Sequence, residues 1–171
     1  MAAQIRRLTS VSEHELQALA DLLIDCVDGG ASVSFMQPLS MQKARTFWRS
    51  VAEAVARNDC ALLVAEDDAG IVGTVQLVLD QPENQPHRAD LSKMLVLRCS
   101  RRQGLGELLM QAAEQVAREC GKSLLMLDTA SDEAARLYAR LGWQQCGVVP
   151  GYALLPQGGL CDTTYFYREL R

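Results

Sequence analysis

The stretch Met94-Leu95-Val96-Leu97-Arg98-Cys99-Ser100-Arg101-Arg102-Gln103-Gly104-Leu105-Gly106 constrains the fold more than any other part of the chain. An apolar strand runs into a short basic loop, and two glycines lie where an amphipathic helix begins. Leu105, Leu108, Leu109, Ala112 and Val116 recur at helical spacing, which predicts a helix over Gln103–Cys120 that Gly121 terminates. The preceding run, Ala89–Leu97, turns continuously apolar at its end and is expected to be a central strand covered on both faces. The first amides of such a helix have no intrahelical acceptor and sit at the positive end of its dipole. Glycines there let a ligand approach the backbone, and Arg101 and Arg102 add charge, so a phosphate or pyrophosphate cradle is expected. The dinucleotide pattern GxGxxG and the Walker A pattern both fail on this stretch.

The rest of the chain supplies the elements around that strand and helix. Gln4–Leu8 reads as a short first strand. Ser12 and Glu15 form a capping box ahead of Leu16, Leu19, Leu22, Leu23 and Cys26, a first helix ended by Gly29-Gly30. Ser40 caps a second helix carrying Ala44, Phe47, Trp48, Val51 and Val55. Cys60–Glu66 and Ile71–Leu79 are strands joined through Asp67-Asp68-Ala69-Gly70, a hairpin signal, and Gln81–Arg88 is a polar loop. Ser123–Leu127 is a strand and Asp132–Leu141 a helix stopped by Gly142. Trp143–Val149 and Thr163–Glu169 are the last strands, joined by a Pro/Gly loop over Pro150–Asp162. The order β-α-α-β-β-β-α-β-α-β-β predicts an α/β (α+β) domain over 1–171, a mixed sheet of seven strands with four helices.

Composition narrows the function classes. The 171 residues carry 17 Lys and Arg against 21 Asp and Glu, a net charge of −4, and only 5% aromatics. An acidic chain without basic blocks or a stacking platform is not expected to take nucleic acid or an anionic membrane as its partner. No apolar run approaches the roughly 20 residues of a membrane span. Six cysteines stand alone, with no CxxC pair, and the two histidines, His14 and His87, lack ligand-spaced neighbours. No metal site and no Cys-His or Ser-His pair is expected, and the segment from Met1 to Leu8 has no signal-peptide core, which points to the cytoplasm.

Arg101, Gly104 and Gly106 match the acetyl-CoA signature Arg/Gln-x-x-Gly-x-Gly/Ala, and the chain resembles the GNAT superfamily of N-acetyltransferases. The family's element order agrees, and its YxxxGF-like segment appears as Tyr138-Ala139-Arg140-Leu141-Gly142-Trp143, in register over about Ala61–Arg168. Gly29-Gly30-Ala31-Ser32-Val33, Pro38-Leu39-Ser40 and Pro150-Gly151-Tyr152 look closer still to the tabtoxin-resistance acetyltransferases, which inactivate a toxic amino-acid analogue. The resemblance implies a mostly antiparallel sheet splayed at the acetyl-CoA site. Backbone groups of Met94, Leu95 and Val96 would hold the pantetheine arm like an added strand. Amides from Arg101 through Arg102, Gln103, Gly104 and Leu105 to Gly106 would cradle the pyrophosphate. Ser131 stands where many members carry an Asn against the cofactor arm, and Arg98 where many carry Pro.

Acetyl transfer to an amine poses two proton problems. An alkyl amine with a pKa near 10.4 is neutral only about once in 10³ at pH 7, a penalty of about 4–5 kcal/mol, and the leaving thiolate needs a proton or a donor. A carboxylate answers the first, and the resemblance offers Asp90 and Asp128, at the ends of neighbouring strands. The resemblance also puts the Tyr138 hydroxyl near the cofactor sulfur, and a splay amide at Leu95 or Val96 against the thioester carbonyl. Ser32, Phe35, Trp48 and Tyr152 are candidates to shape the acceptor pocket. The implied partner is a small-molecule amine, with acetyl-CoA as cosubstrate, no metal, and a monomer or homodimer as the working form. A protein or peptide N-acetyltransferase and a non-catalytic acyl-CoA-binding regulatory domain are the alternatives.

Overall fold

Alternation along one strand explains the layers. The computed structural model describes residues 3–171, so Met1 and Ala2, the start of the segment read against a signal peptide, lie outside it. In β2 (Cys60–Asp67), Leu62 and Val64 point to one face while Ala61, Leu63 and Ala65 point to the other, and all five are buried. Successive strand residues face opposite ways, so a doubly buried strand needs a helical layer on each side. One layer is α1 (Glu13–Asp28) and α2 (Met41–Ala56), the other α3 (Leu105–Glu119) and α4 (Asp132–Arg140).

The described residues form seven strands: β1 (Gln4–Leu8), β2, β3 (Gly70–Val78), β4 (Arg88–Val96), β5 (Leu124–Thr129), β6 (Gln144–Leu154) and β7 (Leu160–Glu169). Their order across the sheet is β1-β2-β3-β4-β5-β7-β6. Only β4 and β5, the pair linked through α3, run parallel; every other neighbouring pair is antiparallel. The expected sheet, helix number and element order are all present.

Local chemistry sets the boundaries. The Ser12 hydroxyl accepts from the Glu15 amide while the Glu15 carboxylate accepts from the Ser12 amide at 2.8 Å, closing the capping box. Ser40 caps α2 through the Lys43 amide at 3.1 Å. The β2–β3 turn is held by the Ala69 amide donating to Asp67 Oδ1 at 2.8 Å, with Gly70 at φ 113°.

Two expectations fail here. Pro150, Gly151 and Tyr152 belong to β6, and the loop shrinks to residues 155–159. Proline and glycine interrupt an interior strand, but β6 is the outermost strand, and a register shift between Val149 and Ala153 absorbs them. Trp48 is wholly buried between α1, α2 and the sheet, so it is a core residue and not a wall of an acceptor pocket. Truncation to Ala should therefore cost about 3–5 kcal/mol in urea unfolding, the usual cost for a buried aromatic. A loss under about 1 kcal/mol would show that this face of the core is loosely packed.

Candidate active site

The site begins as a fault in the sheet. Gln76 of β3 faces Ser92 of β4, but Thr74 faces Leu95, so β4 spends three steps where β3 spends two. Lys93 sits in that bulge at φ 52°, a left-handed conformation that costs a non-glycine residue on the order of 1 kcal/mol. The bulge turns the strand over: Leu91 packs toward α3, and Leu95 packs toward α1 and α2. On the other side, β4 pairs with β5 only through Asp90 opposite Met126, and then the two strands part. A cleft of about 680 Å³ opens between them, lined by Leu91–Val96, by Leu127–Ser131, and by the starts of α3 and α4.

At one end of the cleft lies the cradle. Gly104 caps α3 at φ 80°, no side chain bonds the helix start, and the first intrahelical bond runs from the Leu108 amide to Gly104. The amides of Leu105, Gly106 and Glu107 are thus left for a ligand. A Cβ on Gly104 would meet nothing within 4 Å, so the space above it is open, whereas one on Gly106 would press Leu137 at 3.0 Å. Arg101, Arg102, Leu105 and Gly106 line the cleft, and Gln103 does not. Arg101 turns back, its Nε donating to the Val96 carbonyl at 3.2 Å, where the Cys26 thiol also donates at 3.5 Å. The loop is anchored by Arg98, whose amide and Nε each donate to Asp25 of α1 at 2.9 Å. An open anion cradle followed by a strand edge without a partner fits a pyrophosphate joined to an extended, hydrogen-bonding arm. Those are the two halves of coenzyme A.

Tyr138, on α4, is 5% exposed and lines the same cleft. Trp143 and Phe166 hold its ring at centroid distances of 6.1 and 5.8 Å, and the Trp143 amide donates to the Tyr138 carbonyl at 3.0 Å. Gly142 lies between them at φ 85°, a left-handed conformation that favours glycine. Burial, with the Asp128 charge, holds the phenol well above its ordinary pKa, so it stays protonated. Asp128 lines the cleft too, its Oδ2 accepting from the Thr163 hydroxyl at 2.7 Å.

The family model for the acetyltransferase (GNAT) family matches residues 18–143. The chain belongs to that family. An N-acetyltransferase encoded between hisH and hisA in Azospirillum brasilense is 29% identical over 126 residues, covering 72% of this chain and 73% of that protein. An N-acetyltransferase from Staphylococcus aureus superposes over the whole of both chains with a TM-score of 0.82 at 19% identity. A phosphinothricin acetyltransferase from Sinorhizobium meliloti, solved with acetyl-CoA, superposes at 0.80 over 99% of this chain and 89% of its own, at 17% identity. The protein is an acetyl-CoA-dependent N-acetyltransferase of the GNAT fold.

Within this fold the remaining candidates are unevenly placed. Met94, Leu95 and Val96 line the cleft, as does Ser131, whose hydroxyl is already committed to the Ala134 amide at 3.1 Å as the α4 cap. Asp90 lies at the last β4–β5 pair, outside the cleft, ion-paired with Arg88 and accepting from Gln81 Nε2 at 3.3 Å. Ser32 reaches the cleft, where the Cys161 thiol donates to its hydroxyl at 3.6 Å. Phe35 does not line the cleft and packs edge-on to Phe47. Tyr152 is half exposed on β6, its hydroxyl 3.0 Å from that of Tyr165, the residue opposite Asp128 on β7. That bond, first among several influences, pushes the Tyr165 phenol up to about 12. Sequence reasoning missed Lys93 and Thr163: nothing in Ser92-Lys93-Met94 marks a bulge, and Thr163 gains meaning only from its cross-strand reach to Asp128.

Gly104→Asp should weaken coenzyme A binding by at least about tenfold in calorimetry, because a carboxylate enters the open space before the free amides. Circular dichroism should stay native. Wild-type affinity in the folded variant would remove the cradle assignment.

Proposed function

We propose that the enzyme acetylates the primary amine of a small molecule by direct attack in a ternary complex. Asp128 takes the amine proton and Tyr138 serves the leaving sulfur. The observation that carries this reading is that a carboxylate and a protonated, ring-locked phenol line one cleft where β4 and β5 part. Acetyl-CoA supplies the acetyl group as a thioester, held along Met94–Val96 and at Arg101–Gly106. Thr163 keeps the Asp128 carboxylate oriented, and that carboxylate accepts the proton an ammonium must lose before nitrogen can attack. The Tyr138 hydroxyl makes no hydrogen bond among the described residues and is free to donate toward sulfur as charge develops there. An amide at Leu95 or Val96 polarises the carbonyl.

Two features favour direct attack on a small acceptor. Burial pushes up the pKa of the Cys26 thiol, the cysteine that lines the cleft, which leaves it a poor nucleophile for an acyl-enzyme. The Gln37 amide donates to the Pro156 carbonyl at 2.9 Å, tying the α1–α2 connection to the β6–β7 turn. Ala31–Val33 of that connection and Leu155 beside that turn both line the cleft and bound its acceptor side, where a peptide would need an open groove. Asp90 is committed to Arg88 and Gln81, so the base is assigned to Asp128. Inactivation of an amino-acid-like toxin in the cytoplasm is the physiological role that the resemblance in Gly29–Val33 and Pro38–Ser40 favours.

A panel of small amines and peptides, followed by free-CoA release and product mass, tests the reading. Acetylation of peptides alone would overturn it. Tyr138→Phe should lower turnover about 10²–10⁴-fold with cofactor affinity kept. A wild-type rate in both steady-state and single-turnover measurements would leave Tyr138 as packing only. Asp128→Asn should slow transfer most at low pH and recover partly as pH rises and free amine becomes available, and Asp90→Asn should keep the wild-type profile. Because Tyr138 is held protonated, the wild-type rate should show no loss from its ionisation up to about pH 10.

A further inference from the structure

Lys93 is the charged residue of the bulge, and the proposed chemistry does not use its side chain. Its ammonium lies 5.5 Å from the centroid of the Phe47 ring and 3.4 Å from the Ser34 hydroxyl, and the residue lines the cleft. Ser34 is itself at φ 77°, so two non-glycine residues in left-handed conformations bring their side chains together across the acceptor side. Such backbone outliers concentrate where a site is being shaped. No carboxylate lies within ion-pair distance of the Lys93 ammonium among the described residues. The acid whose charge is felt at Lys93 is Asp128, without a bond between them. Burial pulls the ammonium below the ordinary lysine range, the condition of a cation short of a counter-ion. Of the other cations of the cleft, Arg102 stands on the cradle loop, Arg136 and Arg140 on α4, and Arg101 is turned toward the Val96 carbonyl and Cys26.

We infer that Lys93 is a specificity-determining residue that binds an anionic group, a carboxylate, on the acceptor, while Asp128 faces the amine of the same molecule. The inference rests on the small-molecule reading above and deepens it: the acceptor is a zwitterion of amino-acid type. One cation and one anion, separate but within each other's field in one cleft, match an ammonium and a carboxylate a few bonds apart. Ser34 adds a hydroxyl that can donate to the same carboxylate. The Phe47 face keeps the ammonium in place when no acceptor is bound.

The test compares matched acceptors, amino acids against their carboxamides, in wild type, Lys93→Gln and Lys93→Arg. Cofactor affinity and circular dichroism serve as folding controls. Wild type should prefer the carboxylate. Lys93→Gln should raise KM for amino acids by about 10- to 100-fold, the effect of one charge-assisted hydrogen bond, and change kcat/KM for carboxamides by less than about threefold. Lys93→Arg should restore part of the preference. Equal losses on both acceptor series would make Lys93 structural and overturn the inference. Wild-type turnover of small amines without regard to the carboxylate would overturn it alone, leaving the small-molecule reading intact. Acetylation of peptides with no turnover of any small amine would overturn both.

Discussion

Ser92 and Leu95 of β4 face Gln76 and Thr74 of β3, so one residue of β4 has no counterpart across the ladder and the strand exchanges its faces at that point. From this misfit the rest follows. A β4 that kept its register could continue pairing with β5 beyond Asp90 and Met126, and the space between them would close. Turned over, it sends Leu95 to the α1–α2 core and leaves its other edge bare of a strand partner. The edge that β5 gives up faces the cleft, which leaves room there for an extended ligand arm.

Connections across the layers keep that gap in shape. Arg98 clasps Asp25 from the cradle loop, and its side chain passes so close to Gly29 that a Cβ there, 2.7 Å away, would force it to shift. Just past α4, Arg168 of β7 donates to the Gly142 carbonyl at 2.9 Å and lies in the space that a Cβ at this position would fill. The Gly142-Trp143 dipeptide thus works as a corner that presses Trp143 onto Tyr138, while the Trp143 indole N–H donates to Glu114 of α3 at 3.2 Å. The phenol is aimed by packing rather than by hydrogen bonds, which leaves its proton available.

How much of this was legible depends on the distance over which each feature is encoded. The capping box Ser12–Glu15, the Gly70 turn and the glycines of Gly104-Leu105-Gly106 act within a few residues, and the sequence states them directly. The bulge at Lys93 depends on the register against β3, which no alternation within Asp90–Val96 announces. Trp48 misled because an amphipathic helix with two adjacent aromatics does not say which ring enters the core, and packing gave that place to Trp48 rather than Phe47. Asp90 and Asp128 looked equivalent at two strand ends. Only the neighbours separate them: Arg88 lies two residues from Asp90 on the same strand face, whereas Thr163 reaches Asp128 from across the sheet.

The detour at Pro150–Tyr152 has a consequence for the molecule's outer border. β6 is a long terminal strand, and Val148, Val149, Leu154 and Leu160 of the β6–β7 hairpin are exposed, a combination that invites a foreign strand to add itself. Pro150 removes one amide from that border, and the irregular run to Ala153 breaks its repeat. What remains is two short stretches out of step with each other, a poor template for the unlimited stacking through which sheet proteins leave solution.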